Sequence, residues 1–388
     1  MIYTLIKIYM LSVLLLSCAY AGKGSWEAQQ LRAEAISADY QQRYPNLCSD
    51  RHVFKVVELA DGSKLELDLR LVRPKEGGPF PVVFFVHGGA WATGSKAQFT
   101  HESYVLADHG IAGVRMEYRW KSHGAKYQEA FSDLMDSIDY IRKRADALKI
   151  DFSRVGLAGG SAGGHLSAIA AQLTPECISY DGYNGLYDAF DRGHSSFGGG
   201  DYTGETEAEK KKASAIYNIK ENPPHTFLYH GTEDLTVSIE VARRFRDAIR
   251  DQGGHAELLA YEGAGHAFFN KNPYQAATTS ALLAHTRYVF GLTNLEPNLP
   301  DFQLPPAIAK GMKGFDLIGE WRLEGDSAKM LNFNADYSLK STARKAERWE
   351  RRYGAYYIIW DSGHQSLIEP VDPTAFQIKG TLYKKIDE

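Results

Sequence analysis

Arg154-Val155-Gly156-Leu157-Ala158-Gly159-Gly160-Ser161-Ala162-Gly163-Gly164-His165 is the stretch on which the fold turns. A short apolar run ends in two glycines, a serine follows, and small and apolar residues then continue through Ala171. The reading is a buried strand over 154–158, an abrupt turn at Ser161, and a helix over 162–172. A chain that passes so sharply from strand to helix forces unusual dihedrals on the turn residue and crowds its neighbours, which is why Gly159 and Gly163 flank Ser161 as G-x-S-x-G. The turn lifts the Ser161 hydroxyl above the sheet, and the helix N-terminus beneath it favours developing negative charge.

Outward from that turn, buried strands alternate with amphipathic helices. Pro81–Val86 is a continuous apolar run, as expected for a strand covered on both faces. Further strands are expected at Ala112–Tyr118, Thr226–Tyr229 and Ala256–Tyr261, and helices at 27–44, 131–148, Ser238–Asp251 and Tyr274–Tyr288. Upstream, His52–Glu58 and Leu65–Val72 flank the turn Ala60-Asp61-Gly62-Ser63. The second alternates strictly, with Leu65, Leu67, Leu69 and Leu71 on one face and Glu66, Asp68 and Arg70 on the other, which predicts a half-exposed antiparallel strand near a sheet edge. The fold class is therefore α/β, a mostly parallel sheet flanked by helices with an antiparallel start.

Three other strand ends carry reactive residues. His87-Gly88-Gly89-Ala90-Trp91 follows strand 81–86. Acyl transfer needs backbone N–H donors aimed at an oxyanion, and glycines let the chain approach closely enough to supply them. Gly88 and Gly89, with the N–H of Ala162, are the expected donors, and His87 is read as a loop-shaping hydrogen bonder. His230-Gly231-Thr232-Glu233-Asp234 follows strand 226–229, and Gly263-Ala264-Gly265-His266 follows strand 256–261. The chain order Ser161, acid, His266 is that of a nucleophile–acid–base triad on such a sheet. Asp234 is favoured over Glu233 as the acid, and His165 is read as a packing residue.

These pieces resemble the α/β-hydrolase superfamily, in particular its HGG-motif esterase and lipase branch, and within it secreted acetylxylan- and feruloyl-type carbohydrate esterases. The resemblance rests on His87–Trp91, Tyr118-Arg119, the helix before Ile150-Asp151, Gly159–His165, His230–Val237 and Gly265-His266, and spans roughly residues 50–290. It implies serine hydrolysis of carboxylic esters without a metal or other cofactor. The sequence departs from the family pattern at Ala90, where a third glycine is usual, and at Trp120, where Tyr118-Arg119 is usually followed by leucine. Trp91, Tyr118 and Trp120, with Tyr183, Tyr187 and Phe197 nearby, are candidate substrate-binding aromatics, since ring faces suit sugars.

The rest of the chain sets the context. Residues 8–22 are uncharged between Lys7 and Lys23, include Val13-Leu14-Leu15-Leu16, and end in small residues. The segment is short for a membrane span and reads as a signal peptide, residues 1–21, cut after Ala21. That places the protein outside the cytoplasm, secreted or periplasmic; a lipoprotein reading through Cys18 fits less well. Cleavage leaves Cys48 and Cys177, an even pair for one disulfide. The hydrolase is expected over 22–293, followed by a proline-rich linker over 294–312 holding Pro297, Pro300, Pro305 and Pro306. Residues 313–388 turn to short aromatic-rich segments and read as a small β-rich module, with equal numbers of acidic and basic residues. Its aromatics either fill a small core or contact polysaccharide.

The composition excludes several functions. With 44 Lys plus Arg against 48 Asp plus Glu, the formal charge is −4, so the chain has no basic face for nucleic acid. A mean hydropathy of −0.35 excludes a polytopic membrane protein. The leading expectation is a secreted carboxylesterase acting on acetyl or feruloyl esters of carbohydrates. A generic short-chain esterase or lipase, a peptidase or amidase of the same fold, and a noncatalytic binding protein are the alternatives.

Overall fold

The computed structural model describes residues 25–191 and 206–294 and, between 319 and 385, the eight strands given below. The expected signal peptide with Cys18, the linker from residue 295 onward, and Phe197 lie outside the described residues. The chain divides into two compact units, the larger built mainly from the chain up to Leu259 with Ala264–Asn270, the smaller from the C-terminal strands, with Ala260–Gly263 and Lys271–Ala281 assigned to it.

Among the described residues the first element is helix α1 (Trp26–Arg43), whose first turn is capped by Ser25 Oγ accepting from the Ala28 N–H. Strands β1 (Leu47–Glu58), β2 (Lys64–Pro74) and β3 (Phe80–Val86) follow, then α2 (Thr100–Asp108), β4 (Ala112–Met116) and α3 (Tyr127–Arg142). After β5 (Ile150–Gly160) come α4 (Ala162–Leu173), β6 (Cys177–Tyr183), α5 (Glu207–Lys212), β7 (His225–Gly231), α6 (Ile239–Asp251), β8 (Ala256–Tyr261) and α7 (Tyr274–Val289). The strands form one sheet in the order β1-β2-β4-β3-β5-β6-β7-β8. β1 and β2 pair antiparallel, as do β2 and β4; β3 runs parallel to both β4 and β5, and β5, β6 and β7 continue parallel. β3 and β5 lie at the centre, and every residue of β3 is buried. The C-terminal ends of the parallel strands therefore open on one edge, where an α/β sheet collects its reactive loops.

One expectation changes, and one question that the sequence leaves open is answered. On β2 the leucine face is buried as predicted, but Asp68 on the opposite face is only 4% exposed, because its carboxylate pairs with the ammonium of Lys96 at 2.6 Å. Strand alternation records which face is apolar and says nothing of a buried ion pair on the other. Cys48 and Cys177 are both free. They sit on β1 and β6, five strand steps apart in the sheet order. At about 4.8 Å per step that is roughly 24 Å, far beyond the Cα separation of about 7 Å that a disulfide tolerates. Burial raises the Cys177 thiol to about 12, so it stays protonated and inert.

Between 319 and 385 the described residues are all β, as expected: β9 (Gly319–Leu323), β10 (Asp326–Phe333), β11 (Leu339–Ser341), β12 (Ala346–Arg352), β13 (Ala355–Trp360), β14 (Gln365–Asp372), β15 (Ala375–Ile378) and β16 (Thr381–Lys385). They run in the order β11-β10-β9-β16-β15-β14-β13-β12. Trp321 and Phe376 are fully buried with ring centroids 4.7 Å apart, and Phe376 stacks on its cross-strand partner Tyr383 at 5.1 Å. These aromatics form a core.

Candidate active site

Ser161 stands between the end of β5 and the first residue of α4, at φ 52° and ψ −118°. A non-glycine residue held there stores about 1–3 kcal/mol of strain, which persists only where the surroundings fix it. They do: the Ser161 N–H donates to the Tyr183 carbonyl at 2.8 Å, and the His165 N–H donates back to the Ser161 carbonyl at 3.0 Å. α4 is buried along nearly its whole length, so it cannot swing away from the sheet. Gly163 is needed for close approach, since a Cβ there would lie 2.0 Å from the Val86 carbonyl oxygen. Gly163→Ala should therefore lower the denaturant midpoint by an amount equivalent to about 1–3 kcal/mol of overpacking, and reduce turnover by shifting the serine. An unchanged midpoint and rate would show that the turn has room to give.

Ser161, His266 and Asp234 come together. His266 Nε2 lies 2.9 Å from Ser161 Oγ, and His266 Nδ1 lies 2.8 Å from Asp234 Oδ2. The consistent tautomer has Nδ1–H donating to the carboxylate and Nε2 accepting from the serine hydroxyl. Asp234 Oδ1 accepts from the N–H groups of Thr236 (2.8 Å) and Val237 (2.9 Å), and Oδ2 accepts from Asn184 Nδ2 at 2.8 Å. Burial alone would raise the Asp234 carboxyl; hydrogen bonds from His230, His266 and the Val237 N–H outweigh it and hold the group far below the usual carboxylate range. A lowered folded-state value means that its contribution to stability is complete above the ordinary carboxylate pKa and is lost only as pH falls through the folded value. Glu233, the alternative acid, is exposed.

Asn184 was not anticipated. It directly follows the last residue of β6 at φ 47°, a left-handed position that asparagine tolerates. His165 packs as expected: fully buried, with Nε2 bonded to the Ala213 carbonyl at 2.7 Å and burial lowering it to about 4.

The donor loop corrects one expectation. Gly88 N–H is engaged by Gln98 Oε1 at 2.7 Å, so it is not an open oxyanion donor in this conformation. Gln98 Nε2 in turn donates to Asn270 Oδ1 at 3.0 Å. Gly89 turns back on Thr93 at φ 124°, a conformation and closeness that only glycine allows. Ala162 is the first residue of α4, so its N–H has no partner within the helix. Gly89 and Ala162 remain the candidate donors.

A second correction concerns the three substrate aromatics. Trp91 is 6% exposed, Tyr118 0% and Trp120 3%, all within the hydrophobic core. Trp91 meets the edge of His165, Trp120 packs on Trp26, and Tyr118 stacks on His87 while its hydroxyl donates to the His87 carbonyl. They shape the loop from beneath and offer no ring face to a ligand. Tyr183 and Tyr187 are likewise fully buried. Beside the serine, Phe99, Phe269 and Tyr183 form a mutual aromatic cluster, with Phe269 against Gly160.

Comparison with known proteins bears on this geometry. A family model described as BD-FAE matches residues 67–196, which carry the donor loop and Ser161. The chain is similar to a probable isoprenylcysteine alpha-carbonyl methylesterase of Oryza sativa subsp. japonica, 31% identical over 250 residues, covering 56% of this chain and 58% of that protein. It is also similar to Esterase LipC of Mycobacterium tuberculosis, 31% identical over 225 residues, covering 49% and 53%. The chain thus spans little more than half the length of these curated relatives. Among solved structures, Thermogutta terrifontis esterase 2 phosphonylated by sarin matches with a TM-score of 0.56 and 25% identity, covering 64% of this chain and 96% of that one. Its propionate-bound form matches with 0.54 and 26%, covering 66% and 98%. The larger unit has the α/β-hydrolase fold.

Proposed function

We propose that the protein is a carboxylic ester hydrolase working through an acyl-enzyme on Ser161. The observation that carries this reading is the hydrogen-bonded series Ser161 Oγ–His266–Asp234 at the C-terminal edge of the sheet. Oγ attacks the ester carbonyl carbon while His266 Nε2 takes its proton, and the N–H groups of Gly89 and Ala162 receive the negative charge that develops on the carbonyl oxygen. Collapse expels the alcohol, protonated by His266. A water then attacks the acyl-enzyme with His266 again as base, releasing the acid and restoring Ser161. Only a neutral imidazole accepts the proton. Asp234, held ionised, orients the ring throughout.

The finer proposal is that the acyl group is acetyl or feruloyl and the alcohol is a carbohydrate, on a secreted or periplasmic enzyme whose signal peptide is cut after Ala21. The motif resemblance and the BD-FAE match over 67–196 support it. The burial of Trp91, Tyr118 and Trp120 favours a second reading, a short-chain carboxylesterase with no sugar preference, in line with the printed names of the curated relatives. Initial rates on acetylated xylan, a feruloylated oligosaccharide, p-nitrophenyl acyl esters and an aminoacyl amide separate the two. The sugar-ester proposal expects the highest kcat/KM on one of the carbohydrate esters. Equal or higher values on the aryl esters favour the second reading, and dominance of the amide overturns both. A polysaccharide-holding role for 313–388 is part of the first reading. It expects a chain stopped after residue 312 to keep its kcat on a soluble ester and to lose retention on insoluble polysaccharide; unchanged retention removes that role.

A further inference from the structure

β3 and β4 lie side by side and parallel, with Val86 opposite Met116. One residue further along each strand, His87 stands beside Glu117. Between His87 and Phe99 the loop holds Gly89, Ala90, Trp91, Gly94 and Phe99 at positive φ. Ala90, Trp91 and Phe99 gain nothing locally from that conformation, which survives only where neighbouring groups over-determine it. The loop places the Gly89 N–H, so whatever fixes its shape also fixes the candidate oxyanion site.

Glu117 is fully buried. Its Oε1 accepts the Lys96 N–H at 2.8 Å, and its Oε2 lies 3.3 Å from His87 Nε2. His87 Nδ1 lies 2.8 Å from the Gly88 carbonyl oxygen, so one imidazole stands between the carboxylate and the first peptide of the loop. The Lys96 ammonium is held closely by Asp68 and Gln30 and more distantly by Glu34 at 3.7 Å and Glu117 Oε1 at 3.8 Å, and Arg115 donates to the Lys96 carbonyl at 2.7 Å. Burial would raise the Glu117 carboxyl, but His87 and Lys96 lower it and keep it ionised.

We propose that Glu117 is a positioning residue that grips both ends of loop 87–96, through the Lys96 N–H and the His87 ring, and thereby aims the Gly89 N–H at the reacting carbonyl. The inference rests on the acyl-enzyme reading above. The experiment measures kcat and KM on a soluble aryl ester for the full chain, per active site titrated with a fluorophosphonate. A mis-set oxyanion donor costs on the order of 10²-fold in kcat, so Glu117→Ala should lose about that much with KM almost unchanged. Glu117→Gln should recover most of it: its amide oxygen still accepts the Lys96 N–H, and its nitrogen donates to His87 Nε2 in the Nδ1–H tautomer. Wild-type kcat in Glu117→Ala, or equal impairment of the two variants at equal folded fraction, overturns the proposal. Should Glu117→Ala not fold, His87→Phe decides, because it keeps the stacking on Tyr118 and removes both ring nitrogens. The same loss of kcat at constant KM then supports the proposal, and wild-type kcat overturns it. A wild-type enzyme with no esterase activity would sink the acyl-enzyme reading itself, a different outcome from all of these.

Discussion

Ser161→Ala is expected to lower kcat on a soluble aryl ester by about 10⁶-fold, the scale of loss when the nucleophile of a comparable serine hydrolase is removed. The substitution deletes one oxygen. The Ser161 N–H bond to Tyr183 and the helix bond from His165 are made by the backbone and remain, and the new Cβ occupies the place of the old. The melting temperature should therefore stay within a few degrees of wild type, which separates lost chemistry from lost fold. The residual rate would come from water attacking an ester polarised by Gly89 and Ala162. A variant keeping a tenth of wild-type kcat would move the nucleophile elsewhere.

Asp234→Asn is expected to cost around 10⁴-fold in kcat through the tautomer of His266. In the wild type, Oδ2 accepts from both His266 Nδ1 and Asn184 Nδ2, while Oδ1 is filled by the N–H groups of Thr236 and Val237. The two backbone N–H groups require the amide oxygen of an introduced Asn at the Oδ1 position, which turns its NH₂ toward His266. His266 then accepts at Nδ1 and carries its hydrogen on Nε2, facing a serine proton that it can no longer take. Glu233→Gln, at an exposed side chain, should change kcat by less than about threefold, within the range of an ordinary surface substitution. Reversal of that ranking would reassign the acid.

The sequence exposed the site where strand ends and chemistry coincide. Ser161, Asp234 and His266 each follow an apolar strand and sit among glycines, so strand reading and motif reading point to the same positions. What it hid depends on three-dimensional neighbours. Trp91, Tyr118 and Trp120 adjoin the motifs in sequence, yet adjacency says nothing about which way a ring turns, and theirs turn into the core. Gln98 has no local pattern, and only the folded loop brings its side chain to the Gly88 N–H. Asp68 shows that a charge at a strand's polar position is buried when a lysine from a distant loop arrives to meet it. Near the C-terminus, β11 is three residues long and β12, Ala346–Arg352, is dominated by charged side chains, so neither carries an apolar pattern for sequence reading to find.

The central claim, that Ser161 is an activated nucleophile served by His266, is tested most directly by mass spectrometry of the full chain after reaction with a fluorophosphonate. The account predicts a single adduct whose peptide maps to Ser161, formed stoichiometrically in the wild type and greatly slowed in His266→Ala. No adduct, or an adduct at another residue that forms equally fast without His266, would contradict it.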